Sequence, residues 1–247
     1  GLTAGIETTV CDGSWIEGCN RMDLILTSSN HSKRVFETCE FYKDDSKDKV
    51  IKLEKPVKVL FEGANLDVYK PIKEFTNKDL YNYINNIPED YAYLFVGHWM
   101  QGELGHDRKN VGLLVKTFYE NFKNIKNKPA LILKTSVVSG RPLLEFSLSN
   151  KPIITTGWSG HTDFLNEGDV GYVGGELEEL HPSSQVKNML LKESKWFKPN
   201  LGDVNYLFND TFKNYKDWVV KAKRQAKISK NKFSYKAMGN RINEIFD

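Results

Sequence analysis

Five short apolar runs, each closed by glycine or polar residues and spaced by helix-length intervals, limit what this chain can fold into. They are Leu24–Leu26 before Ser28-Ser29-Asn30, Val57–Phe61 before Glu62-Gly63, Tyr91–Val96 before Gly97, Ala130–Leu133, and Pro152–Thr156. Between the third and fourth, Val111, Leu114, Val115, Phe118, Phe122 and Ile125 recur at helical spacing, which predicts an amphipathic helix over about 110–125. Strands that are apolar almost without interruption are buried on both faces, and alternation with helices makes the sheet parallel. Parallel strands are therefore expected at about 24–27, 57–61, 92–96, 130–134 and 152–155, with C-terminal helices from Thr211 onward. Open sheets of this kind bind ligands at the carboxyl ends of their strands, so the loops after Val96, Leu133 and Thr156 are the places to look for a site.

Composition narrows the class of partner. Charged residues make up 27% and apolar ones 40% of 247 residues, as in a soluble globular chain with a sizeable core. The net charge of +3, from 35 basic and 32 acidic side chains, is too weak to argue for nucleic acid as a partner on charge alone. Cys11, Cys19 and Cys39 are odd in number and lack C-x-x-C spacing, which argues against a disulfide framework or a zinc site and for a reducing, cytoplasmic setting. No run approaches the roughly 18 apolar residues of a membrane span. His31, His98, His106, His161 and His181 show no ligand spacing, and no metal is expected.

The stretch Val138–Asp163, VSGRPLLEFSLSNKPIITTGWSGHTD, carries the chemistry. Gly140, Arg141 and Pro142 read as a helix start, because proline loses nothing in the first helical turn. The free N–H groups there, those of Arg141 and Leu143 included, make an anion site. Glu145 stands one turn in, within reach of the hydroxyls of a sugar attached to that anion. The run then enters a buried strand whose end opens into Trp158, Ser159, Gly160 and His161. An anion, a ribose and a cleft at strand ends point to a nucleotide ligand. Lys70–Asn86, charged and without strand pattern, is the best linker between two α/β units.

FVG followed by RKNVGLLVKTF, and GRPLLEFSLSNKPIITTGWSGHTDFL after it, resemble the donor-binding lobe of retaining glycosyltransferases of the two-Rossmann (GT-B) type, family 4-like. GIETT, WIEGCNRMDLILTSSNHSKRVF and VKVLFEGANLDVY resemble the end of the first lobe of that family, and FSYKAMGNRINEIF its C-terminal helix. The resemblance implies an α/β, GT-B-like fold with two Rossmann-type lobes whose parallel sheets face a cleft, the first lobe incomplete. It divides the chain into residues 1–75 on the acceptor side, 76–230 as donor lobe, and 231–247 as a helix crossing back. It implies a hexosyltransferase-like enzyme that moves a sugar from a nucleotide-diphosphate donor to an acceptor hydroxyl on a glycan, lipid or protein, with retention and without a metal cofactor. Arg108 and Lys109 match the basic pair that steadies the diphosphate, and Lys109 joins Glu7 as a catalytic candidate. Gly97, Gly140, Arg141, Pro142 and Leu143 line the donor side. Glu145 matches the ribose-binding glutamate, and Ser159, Gly160 and His161 the loop near the donor. Glu7 sits where it could orient an acceptor hydroxyl.

Two departures define the alternatives. Val137 stands where the family places the glutamate that touches the donor sugar. The interval from ALILK to GRPLLE is also shorter than the dozen or so residues a βαβ crossover takes. The expectation is that residues of the polypeptide are missing before Gly1 and between Lys134 and Gly140, where neighbouring Cα atoms should then lie much farther apart than about 3.8 Å. The alternatives are a non-catalytic nucleotide-sugar-binding or scaffold protein of the same fold and, further off, a glycosyltransferase acting on nucleic acid.

Overall fold

The computed structural model describes residues 1–42, 49–100, 102–135 and 142–247. The chain opens with β1 (Leu2–Thr3), α1 (Gly13–Asn20), β2 (Ile25–Thr27), α2 (Asn30–Thr38), β3 (Glu40–Tyr42), β4 (Val50–Lys52) and β5 (Val57–Val59). Strands β1, β2 and β5 form a parallel sheet in that order, with Leu26 opposite Leu2 and Lys58. Then come α3 (Lys78–Asn85), β6 (Ala92–Val96), α4 (Val111–Phe122), β7 (Ala130–Lys134), α5 (Pro142–Ser147), β8 (Ile154–Thr156) and β9 (Gly171–Val173). β6 pairs parallel with β7, and β8 parallel with β9. The chain ends with β10 (Gly175–Glu179), β11 (Lys195–Pro199), α6 (Leu201–Lys213), α7 (Tyr215–Lys232) and α8 (Tyr235–Phe246).

The parallel expectation holds for the five anticipated strands, within two or three residues at their ends. The architecture is nonetheless mixed, because β3–β4 and β10–β11 are antiparallel pairs. The 70–86 stretch is more than a linker: Asn77 caps α3 by accepting the Leu80 N–H, and α3 buries none of its residues. The expected chain break between Lys134 and Gly140 falls on residues 136–141 and so lies outside the described residues. Among the described residues no helix is long and apolar enough to cross a membrane.

Packing follows from where the aromatic and aliphatic residues fall. Tyr93, on the inner face of β6, meets the rings of Phe118, Phe122 and Phe208 at 6.0, 6.0 and 4.9 Å, and its hydroxyl donates to the Phe208 carbonyl at 2.6 Å. This aromatic layer fastens β6–β7 to α4 and α6. A second core joins distant stretches: Ile6, Cys11, Ile16, Val35, Phe36 and Cys39 bury against Leu180, Leu190 and Trp196 from the β10–β11 hairpin. Cys11 and Cys39 lie side by side there, the Cys11 N–H donating to the Cys39 sulfur at 3.4 Å.

The C-terminal helix packs on the N-terminal sheet. Arg241 donates to the Val59 carbonyl and Lys58 to that of Ile245, while Ala64 exchanges backbone hydrogen bonds with Phe233 and Tyr235. Gly63 permits this approach, since a Cβ there would lie 2.8 Å from the Ser234 carbonyl oxygen. Gly63→Ala is expected to cost about 1–3 kcal/mol by overpacking. An unchanged denaturation midpoint would show that α8 can shift at no cost.

Candidate functional site

The carboxyl end of β6 runs into the loop that carries the basic pair. Gly97 is buried and extends the β6–β7 ladder through its N–H to Lys134. Farther on, Asp107, 2% exposed, fixes the start of α4: its carboxylate accepts the N–H groups of Val111 at 2.9 Å and of Lys109 and Gly112 at 3.3 Å. Asn110 takes a left-handed conformation, φ 51°, directly ahead of Val111, where the apolar period and α4 both begin. The anion-attracting end of α4 is thus filled by a carboxylate of its own loop, and Arg108 and Lys109 project away from it.

Their partner comes from the far end of the sequence. Ile6 and Thr8 are buried, while Glu7, at the start of a bend between them, is half-buried. The Glu7 carboxylate accepts two hydrogen bonds from Arg108, one from Nε and one from Nη2 at 2.8 Å, and Lys109 Nζ lies 4.0 Å away. A forked guanidinium–carboxylate contact of this kind is the strongest form of ion pair. Burial alone would raise the Glu7 carboxyl, but the Arg108 hydrogen bonds and the charges of Lys109 and Arg108 outweigh it and bring its pKa down to about 2. Glu7 is therefore an ionised hydrogen-bond acceptor with little appetite for a proton.

The loop after β8 completes the cluster. Trp158 donates its indole N–H to the Glu7 carbonyl at 2.9 Å and packs edge-on to His31 with centroids 5.1 Å apart. Ser159 has φ 79°, and a Cβ at Gly160 would lie 2.7 Å from Ser29 Oγ, so this turn presses on the start of α2. His161 Nε2 sits 2.6 Å from the Thr156 carbonyl, and burial holds the imidazole below its usual pKa, with the Lys109 charge adding to that. The ring is neutral near pH 7 and serves to hold the turn. Asp163, in the same turn, accepts the Asn30 N–H at 2.6 Å.

The structure thus brings Glu7, Arg108, Lys109 and the Ser159–His161 turn together, with Gly97 at the base of the basic loop. Pro142, Leu143 and Glu145 stand on α5, where Leu143 packs with Ile153, Leu165 and Val170 and Leu144 with Ala64 and Leu148. Glu145 is half-buried. Gly140 and Arg141, and with them the helix-start anion site, lie outside the described residues. Asp107, His31 and Asp163 belong to the site by geometry but were not anticipated. For Asp107 the signal was present, as an acidic residue just ahead of an apolar-periodic segment is a helix-start pattern.

With parallel strands covered by helices and a basic pair in the loop after one of them, the chain is an α/β protein by architecture. It is similar in fold to the crystal structure of a glycosyltransferase from Rickettsia africae: TM-score 0.56, 16% identity, 94% of this chain and 66% of that one covered. The chain therefore spans slightly less than two thirds of that structure. No family model and no curated protein matches the sequence.

Proposed function

We propose that this chain is a glycosyltransferase that moves a sugar from a nucleotide-diphosphate donor to an acceptor hydroxyl, in a two-lobed GT-B arrangement and with retention. Residues 1–75 are its acceptor side, 76–230 its donor side and 231–247 the returning helix. The observation that carries the reading is the meeting of Arg108 and Lys109 with Glu7 and the His161 turn, contributed by segments about a hundred and about fifty residues away. Charge grows on the diphosphate as the glycosidic bond breaks, and preorganised cations in a partly dry site stabilise that change. Arg108 and Lys109 supply those cations, Glu145 the ribose contact, and the Ser159–His161 turn, with Gly97 and α5 from Pro142 and Leu143, the walls. The fold likeness to a glycosyltransferase supports the same reading.

Calorimetric titration with UDP, GDP and ADP, each alone and as its sugar, and with the matching nucleosides tests it. Binding by one base series, stronger for the diphosphate than for the nucleoside, is expected; no binding by any of them overturns it. The second reading, a nucleotide-sugar-binding protein without catalysis, is favoured by Val137 at the position where the resemblance expects a glutamate. Binding of a nucleotide sugar with no transfer and no slow hydrolysis would select it.

A further inference from the structure

The cations assigned above to the donor are already engaged. Arg108 spends its Nε and one terminal nitrogen on Glu7, and Lys109 points at the same carboxylate from 4.0 Å. The carboxylate is held from behind, because the Trp158 indole fixes the Glu7 carbonyl and Thr8, fully buried, anchors the next residue. The same pattern recurs a turn away, where Asp163 fills the start of α2 by accepting the Asn30 N–H. Two anion-seeking groups beside the His161 turn thus each hold a carboxylate of this chain. A phosphate can take the Nε and Nη2 donors only if Glu7 leaves them, and the remaining terminal nitrogen, Nη1, faces the Met100 sulfur at 3.8 Å.

Resting on the donor reading, we propose that Glu7 sets the affinity of the site as its resident anion: its carboxylate occupies Arg108 and Lys109 until a diphosphate displaces it. A diphosphate can win this exchange because it offers more than one anionic group, one for Arg108 and another for Lys109, where Glu7 offers one. The wild-type affinity is then the intrinsic affinity reduced by the fraction of time the cations are occupied. The resident carboxylate also keeps two neighbouring positive charges neutralised while the site is empty.

The test is calorimetric titration of the full chain and of Glu7→Gln, which keeps the shape of the side chain and removes its charge. The probes are inorganic pyrophosphate, the three nucleoside diphosphates and the matching nucleosides. Glu7→Gln is expected to bind pyrophosphate and the productive diphosphate roughly 5-fold or more tightly than wild type, the scale of one lost competing charge contact. Nucleoside binding should be unchanged. Glu7→Asp keeps the charge but is one methylene shorter, so an intermediate gain is expected, which separates competition from a general loosening of the fold. Weaker diphosphate binding in Glu7→Gln would overturn the proposal and make Glu7 a ligand contact; equal binding would overturn it as well. If pyrophosphate binds more tightly to Glu7→Gln but no nucleotide binds either protein, the resident-anion role stands and the nucleotide reading falls. If nucleotides bind and Glu7→Gln changes nothing, the reverse holds.

Discussion

Phe122→Ala is expected to remove about 3–5 kcal/mol of folding stability, the usual cost of truncating a buried phenylalanine. Phe122 is 1% exposed and is ringed by Tyr93, Phe118, Phe208 and Phe212, with centroids 5.0 to 6.2 Å away. Deleting it takes away the side chain on which β6, α4 and α6 converge, and close-packed neighbours cannot collapse fully into the space. A loss of that size is a large share of the 5–15 kcal/mol typical of a whole domain. Tyr119→Ala, one turn earlier on the same helix but 64% exposed, is the control and should shift stability by about 0.5 kcal/mol or less. Urea denaturation of both variants checks the pair. Similar midpoints would mean that the aromatic layer does not hold α4 in place.

Arg108→Ala is expected to weaken nucleotide-diphosphate binding by about 1–3 kcal/mol, with little effect on the corresponding nucleoside. If Glu7 competes for the same guanidinium, the loss falls at the lower end, because wild type already gives up one ion pair to gain another. The variant also leaves a half-buried carboxylate without its main partner, so a stability loss at neutral pH accompanies the loss of binding. The sign of the pH dependence is fixed by Glu7. Its pKa is depressed to about 2 in the folded chain from an ordinary 4.5, so its contribution is fully present above about pH 4.5 and is lost as pH falls toward 2. In Arg108→Ala that acid-sensitive component should shrink. The double variant Glu7→Gln with Arg108→Ala, which removes both charges, separates the two effects: stability should recover in part while diphosphate binding does not. Equal losses for diphosphate and nucleoside would place Arg108 in the framework and not at the phosphate.

Strands β6 and β7 are legible in the sequence to the residue because Tyr91–Val96 and Ala130–Leu133 are apolar and sharply bounded. The β10–β11 hairpin is not. Gly175–Glu179 and Lys195–Pro199 carry charges throughout, and what pairs them is cross-strand contact: Lys198 Nζ lies 2.9 Å from Glu178, which also faces the Trp196 indole. The left-handed Asn110 ahead of α4 is invisible to hydrophobic periodicity, although the period places the start of the helix at Val111. Within the site, Arg108 and Lys109 stand out as a pair ahead of an amphipathic helix. Their partner Glu7 is 101 residues away, and only the folded chain brings the two together. The buried role of Asp107 is readable in principle, as a helix cap. The clasp between Asp163 and Asn30 spans 133 residues and has no local signature.

The way Leu180, Leu190 and Trp196 complete the core around Ile16 and Phe36 also fixes when that core can form during synthesis. A ribosome makes the N-terminal segment first, yet the core on α1 and α2, which Phe41, Ile51 and Leu53 also pack against, is not complete until Trp196 has emerged. Nascent chains shorter than that lack the part of the cover that Leu180, Leu190 and Trp196 supply, and incompletely buried apolar surface is where such chains stick to one another. The N-terminal third therefore matures late, through contacts that close very long loops. A fragment ending before Leu180 is expected to need a chaperone where the full chain does not.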